Sequence, residues 1–291
     1  MELADLKTLI AVIEAGGITH AAKELHRVPS SITARILQLE ETLGVQLFLR
    51  EKKRLLPTPK GRSLYEHARR IVELADKAEH DVKNTEPGGA FRIGSQETAA
   101  AVRLPAVLAR LHELYPRIQL KLTIGTSRGL CEKVIENRLD AAFVIDTPAD
   151  DRLERASAFE EELVLVTPAG HRPVLEPVHV ECNTALVFQD GCSYRNRLLS
   201  WFWSHGCEPA RVVEFASSHA ILGGVVAGMG VGMIPASVLD NYQSRDGLVV
   251  HPLPPPLGKS FTELVWRKGM ASANLSSLRE GLSGRTSAVS L

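Results

Sequence analysis

The chain has 291 residues, 44% of them hydrophobic and 23% charged, with 34 basic and 34 acidic side chains. That length and balance suit a globular protein of two domains, each able to bury a core. No apolar N-terminal stretch reads as an export signal, and no apolar run reaches the roughly 18 residues of a membrane span. The longest, residues 221–235, is broken by glycines and too short, so secreted and membrane classes are set aside and a cytoplasmic location is expected.

Zero net charge hides an asymmetry. Residues 16–70 hold eleven Lys/Arg against five Asp/Glu, leaving 23 basic and 29 acidic residues elsewhere. A basic head on an acidic body is the pattern of a domain that meets phosphate.

Leu3, Leu6, Leu9, Ile10 and Ile13 recur at helical spacing and predict an amphipathic helix that Gly16-Gly17 stops. A short second helix from about Thr19 turns Ala21, Ala22 and Leu25 inward, and His26-Arg27-Val28 makes the turn. Pro29-Ser30 opens a third helix, proline in its first turn and serine as a cap. This helix is expected to bury Ile32, Ile36, Leu39 and Leu43 and to end at Gly44. Its exposed Ser30, Ser31, Thr33, Ala34 and Arg35 lie near the N-terminal end, the part of a recognition helix that reaches base edges in the major groove. A three-helix bundle without a ligand competes on the helices alone. Residues 45–48 and Leu55-Leu56 then predict two short strands around a charged tip, residues 50–54. That is a wing whose Arg50, Lys53 and Arg54 would sit against phosphates.

These residues carry a resemblance. The runs Ala21-Ala22-x-x-Leu25, Ile36-x-x-Leu39-Glu40-x-x-Leu43-Gly44-x-x-Leu47-Phe48-x-Arg50 and Thr58-Pro59-x-Gly61 resemble the LysR-type transcriptional regulators. The resemblance implies a homodimer or homotetramer that binds double-stranded DNA, with a C-terminal domain that binds a small-molecule inducer and RNA polymerase as a further partner. Three positions depart from the family pattern. Its glutamine at the start of the recognition helix is Pro29 here, its serine two residues after Ser31 is Thr33, and its serine before the second helix is Gly17. The fold therefore carries over and the base preference does not.

From Pro59 to about Lys83, Leu64, Ala68, Ile71, Ala75, Ala78 and Val82 step alternately by four and three, a heptad seam. We read it as a dimerisation helix in preference to one packed on its own domain. Thr85-Glu86-Pro87-Gly88-Gly89 breaks it as a hinge. The expected domains are a winged helix-turn-helix over 1–58, a linker over 59–86 and an effector-binding domain over 87–291. Within the last, subdomain I covers about 90–165 plus 265–291 and subdomain II about 166–264.

Beyond the hinge, strand 91–94, helix 103–115, strand 119–124, helix 130–137 and strand 141–145 predict a parallel sheet with helices on both faces. Strand 163–167 leads into a second set: strand 185–188, helix 194–205, strand 212–215, helix 219–227 and strand 231–234. Strands 248–252 and 264–266 follow, the latter returning to the first subdomain. The overall class is α/β, with a two-subdomain effector-binding domain of periplasmic-binding-protein type around a cleft. Trp201 and Trp203, two apart on one helix, predict that one is partly exposed, and residues 283–291 read as a frayed end.

Ligands of such sheets bind at the carboxyl ends of strands. The candidates there are Ser95, Gln96, Glu97 and Thr98, then Gly125, Thr126 and Ser127, then Asp146. From the second subdomain come Asp190, beside Gln189 and Cys192, and Ser217 and His219. Helix capping competes with ligand contact for each. The family resemblance points to the Thr98 hydroxyl and the Thr126-Ser127 loop. Glu97, Asp146 and Asp190 would set three carboxylates around the cleft with no arginine at an equivalent strand end. The inducer is thus expected to carry an amine, as an amino acid or polyamine does, unless these acids cap helices or face solvent.

No catalytic constellation emerges, and an enzyme is not expected. Gly191-Cys192-Ser193-Tyr194 lacks the second glycine of a nucleophile elbow. Gly228-Met229-Gly230-Val231-Gly232 precedes a strand instead of following one, against a dinucleotide loop. The ten histidines make no HxH or HExxH pattern, and Cys131, Cys182, Cys192 and Cys207 make no CxxC pair, so reduced thiols and no metal or cofactor are expected.

Overall fold

The computed structural model describes residues 1–51, 54–83, 86–181, 183–240 and 242–283. The chain divides into two compact units, Met1–Thr85 and Glu86–Leu291.

The first unit runs α1 (Leu3–Glu14), α2 (Ile18–Glu24), α3 (Pro29–Leu43), β1 (Phe48–Glu51), β2 (Arg54–Pro57) and α4 (Pro59–Lys83). Leu6, Leu9 and Val12 of α1 pack on Ala21 and Ala22 of α2 and on Ile32, Ile36 and Leu39 of α3. The two alanines are buried, and their small side chains let the helices approach closely. Gly16 (φ +69°) and Gly17 (φ +155°) reverse the chain between α1 and α2 in conformations other residues resist. Two expectations change in α3. Its N-cap is the extended Val28, with Pro29 as the first helical residue and no side-chain cap, so Ser30 does not cap it. Leu43 is 37% exposed, being on the last turn where the helix leaves the core. Gly44 (φ +64°) ends the helix as expected.

The spacing of the family-like motif has a physical reason. The Glu40 carboxylate accepts the N–H groups of Leu47 (2.6 Å) and Phe48 (3.0 Å), clamping the start of β1 to α3. The Thr58 hydroxyl donates to the Gln46 carbonyl (3.0 Å) and accepts the Gly61 N–H (2.9 Å), tying the end of the wing to the first turn of α4. The wing strands pair Phe48 with Pro57 and Glu51 with Arg54. They therefore start later than read from sequence and extend into the charged stretch, since residues 45–47 bond to Glu40 and Thr58 and not to a strand partner. Lys53 lies outside the described residues.

The 25-residue α4 uses its expected seam in two ways. Leu64, Ala68 and Val72 pack on the unit's own core, Tyr65 donates to Glu14 (2.7 Å) and Lys7 pairs with Asp76 (3.0 Å). Ile71, Leu74 and Ala78 stay exposed. Helix 59–83 thus packs on its own head, and its exposed apolar side chains among those described are Ile71, Leu74 and Ala78; the side chain of Val82 lies outside those described.

The second unit contains β3 (Gly89–Ser95), α5 (Glu97–Val102), α6 (Leu104–Leu114), β4 (Ile118–Ile124), α7 (Ser127–Ile135), β5 (Ala141–Ile145) and β6 (Leu153–Pro168). It continues with β7 (Thr184–Phe188), α8 (Ser193–Ser204), β8 (Arg211–Phe215), α9 (Ser218–Val226), β9 (Val231–Pro235), α10 (Ala236–Leu239), β10 (Leu248–Pro252), β11 (Lys259–Arg267) and α11 (Ala273–Ser283). The sheet order is β4-β3-β5-β11-β6-β9-β7-β8, with β10 also on β6. Parallel sets β4-β3-β5 and β8-β7-β9 form the two halves, and antiparallel β11 and β6 join them. Every residue of β5 is buried, as a strand covered on both faces requires. The 16-residue β6 pairs with β11 along its first part and with β9 and β10 along its second, so one strand spans both halves. One core gathers Phe91, Ile93, Leu104, Phe143 and Trp266 with Leu275 and Leu278 of α11. The other gathers Leu165, Leu186, Tyr194, Phe202, Ile221 and Met233. Trp201 is buried and Trp203 is 56% exposed.

His251 of β10 is buried with Nε2 2.8 Å from the Thr167 hydroxyl, while Nδ1 accepts the Val174 N–H (3.2 Å). Nδ1 is thus an acceptor and the ring is neutral. Burial, and secondarily the nearby His171, push its pKa below the ordinary 6.5. Below pH 6.5 the unfolded chain binds a proton that the folded one refuses, so this contribution is full above that pH and is lost as pH falls toward the folded value. Thermal melts should show a falling midpoint below that pH, and His251→Gln should flatten this acid limb.

Candidate DNA-reading head and effector cleft

On α3, Ser30, Ser31 and Ala34 are exposed, and Thr33 and Arg35 are half-exposed. The Thr33 hydroxyl donates back to the Pro29 carbonyl (3.0 Å). Arg35 is the one cation of α3. A guanidinium nitrogen lies 3.1 Å from Asp5 Oδ1, while Asp5 Oδ2 accepts the Glu2 N–H (2.7 Å). Asp5 caps the start of α1 and tethers Arg35 at once, leaving the arginine side chain 41% exposed. An ion pair that exposed is worth roughly 1 kcal/mol or less, so a stronger anion can displace it. Arg50 and Arg54 stand on β1 and β2 of the wing.

In the second unit, a cavity of about 240 Å³ opens at the carboxyl ends of the strands. Gln96, Glu97, Thr98, Gly125 and Thr126 line it from one half. Phe188, Gln189, Cys192, Tyr194 and Ala216 line it from the other, with Ile124 at the end of β4. Ser95 and Ser127 are buried outside the lining. Ser127 Oγ accepts from Gln96 Nε2 (2.5 Å) and from the Ile145 N–H (3.0 Å), and Ser95 donates to the Gln96 carbonyl (3.0 Å). This network locks the ends of β3 and β5 to the first turn of α7. Thr126 caps α7 by accepting the Gly129 N–H (3.4 Å). Glu97 accepts the Ser218 N–H (3.2 Å) and hydroxyl (3.1 Å), a link from α5 to α9.

Four further candidates lie outside the lining. Ser217 caps α9 through the Ala220 N–H (3.2 Å). His219 is exposed against the edge of Tyr242 at 6.0 Å. Asp190 is exposed. Asp146, at φ +52°, is gripped by Arg197 at 2.6 and 2.7 Å, and the same arginine donates to the Lys259 carbonyl (2.7 Å). The expectation of three carboxylates around the cleft is therefore corrected to one, Glu97. Sequence position hid the reason: Arg197 sits within α8 yet reaches back to a strand end. Tyr194, Phe188 and Ile124 were not foreseen as lining. Two are the last apolar residues of their strands, a position that could have flagged them. Burial, then the charge of Glu161, raises the pKa of Tyr194. Burial also pushes the Cys192 thiol up, which makes it a poor nucleophile. Among the described residues no group of His, Cys, Asp and Glu could hold a metal ion, and no helix is long and apolar enough to cross a membrane.

A winged helix-turn-helix unit and a two-part α/β unit with a strand-end cavity are the parts of a DNA-binding regulator with an effector-binding domain. Residues 3–62 match the bacterial regulatory helix-turn-helix domain of the lysR family, and residues 84–286 match the LysR substrate binding domain. The chain belongs to the LysR family of transcriptional regulators, which are not enzymes. It is 39% identical over 269 residues to the HTH-type transcriptional regulator YusT of Bacillus subtilis (strain 168), covering 92% of this chain and 90% of that one. It is 37% identical over 255 residues to YofA of Bacillus velezensis, covering 87% and 88%. The crystal structure of full-length CbnR complexed with its target DNA is similar, with a TM-score of 0.70, 26% identity and coverage of 98% and 99%. Full-length BenM is similar in fold, with a TM-score of 0.61, 24% identity and coverage of 99% and 97%.

Proposed function

We propose that this regulator, in the cytoplasm, reads duplex DNA with the N-terminal part of α3 and braces on phosphates through Arg50, Lys53 and Arg54 of the wing. Ser30, Ser31, Thr33, Ala34 and Arg35 face the base edges, and two heads in a dimer address half-sites about one helical turn apart. The exposed Ile71, Leu74 and Ala78 of α4 support pairing with a second copy. So does the edge strand β4, whose Leu120, Leu122 and Ile124 are exposed. A dimer, or a tetramer built as a dimer of dimers, follows from using both surfaces. A small-molecule inducer occupies the cavity, and RNA polymerase is the partner through which occupancy is read at a promoter.

The observation that carries this reading is the cavity itself, in which Gln96, Glu97, Thr98 and Thr126 from one half face Gln189 and Tyr194 from the other. A ligand touching both halves favours one arrangement of them over another, which is the condition for it to shift operator binding or activation. Ser95, Ser127, Asp146 and Ser217 support the cavity from behind, while Asp190 and His219 contact a ligand only where it extends past the rim. Thr98→Ala is the test. DNA affinity should be unchanged, while the inducer response weakens by about 0.5–1.5 kcal/mol, the worth of one neutral hydrogen bond. Loss of DNA binding in a folded Thr98→Ala protein would contradict these roles.

A further inference from the structure

We infer that the cavity takes a small cationic amine, its ammonium on Glu97 and its apolar body against Ile124, Phe188 and Ala216. The inference rests on the cavity being the effector site and adds the class of ligand. Of the described lining residues, Glu97 is the one charged group; no Lys, Arg or His is among them. Three arginines near the cavity are committed elsewhere, and Arg128, exposed in the first turn of α7, is not among the lining residues. Arg197 holds Asp146, Arg195 donates to the Phe188 carbonyl (3.0 Å) and Glu214 (2.8 Å), and Arg103 holds Glu161 at 2.5 and 2.9 Å. A carboxylate ligand would meet Glu97 with no cation among the lining residues to offset the repulsion.

Glu97 accepts two hydrogen bonds, both from Ser218. A carboxylate has about four acceptor sites, so about two remain for a ligand donor. Beside it, the buried side-chain oxygen Oε1 of Gln96 has no donor among the described residues, a second acceptor at this end of the cavity. The Phe188 and Tyr194 rings, with centroids 6.0 Å apart and tilted by 56°, form an aromatic corner that suits an apolar body or the face of a cation. The volume of about 240 Å³ is below the roughly 300–1,000 Å³ of pockets for larger ligands, so the amine is small.

The test is calorimetric titration of the full-length protein with n-butylamine, benzylamine and putrescine, and with their shape-matched acids butyrate, benzoate and succinate. At least one amine should bind once per chain, and its matched acid should bind about tenfold more weakly or worse, the effect of one charge-assisted hydrogen bond. Glu97→Gln, which keeps an acceptor but not the charge, should weaken that amine by about the same factor with an unchanged melt. Ser218→Ala removes a competing donor and should leave amine binding as tight or tighter, whereas a merely structural role for the Glu97–Ser218 link predicts weakening. No amine binding, an acid binding more tightly than its amine, or indifference to Glu97→Gln would overturn the inference. Ala216→Trp, which fills the cavity, separates the two levels. Acid binding abolished by it removes the amine and keeps the effector site, and ligand binding that survives it contradicts the effector site as well.

Discussion

Gly61→Ala is expected to unfold the N-terminal unit and abolish DNA binding. At a helical position alanine would ordinarily gain about 1 kcal/mol over glycine. Here a Cβ on residue 61 would lie 2.2 Å from the Leu47 carbonyl oxygen. That oxygen cannot retreat cheaply, because it accepts the Thr58 N–H (2.8 Å) while the Leu47 N–H is held by Glu40. Moving it breaks the two clamps that fix the wing and α4 to the helices, placing the substitution among those costing about 4 kcal/mol or more. Calorimetry of the full chain should lose the transition of the first unit and retain that of the second. Arg62→Ala, on the exposed neighbour, is the control and should leave both. A Gly61→Ala protein with both transitions intact would show that the close approach is not a constraint.

Arg35→Ala is expected to weaken binding to the cognate operator by about 1–3 kcal/mol and to flatten the preference for it over altered sequences. Arg35 is the one cation of the recognition helix, and its tether to Asp5 holds it near the N-terminal end without burying it. Losing a phosphate contact would weaken all sequences alike, which is the behaviour expected of Lys53→Ala on the wing. Competition binding with operator variants separates the two. Uniform weakening by Arg35→Ala would reassign the residue from base edge to backbone.

Much of this was legible in the sequence where one residue type has one physical job. Gly16, Gly17 and Gly44 mark helix ends because they adopt positive φ, and β5 is an unbroken apolar run because both its faces are covered. The first part of β6 was missed because Arg155, Ser157 and residues 160–162 read as solvated loop; there they pair with β11, and Glu161 is buried on Arg103. Helices α5 and α11 were missed for different reasons. The first is a six-residue helix, half of it alanine, without a strong stripe, and the second follows a return strand that sequence order alone does not place. In the cleft, strand-end logic located Gln96, Glu97, Thr98, Gly125 and Thr126. It misjudged Asp146, because a long arginine finds its partner across the fold and not along the chain. The heptad spacing of α4 was legible as a pattern, but spacing does not say which partner the seam meets. Ala68 found its own head.

The central claim is that this chain binds duplex DNA through phosphate contacts around a recognition helix. The direct measurement is fluorescence anisotropy of the full-length protein on a labelled duplex carrying its operator, titrated at salt concentrations from about 50 to 200 mM. The logarithm of the affinity should fall linearly with the logarithm of salt, by on the order of 10³-fold or more across that range. A chain whose affinity ignores salt, or that has no affinity for the duplex at the lowest salt, would contradict the account.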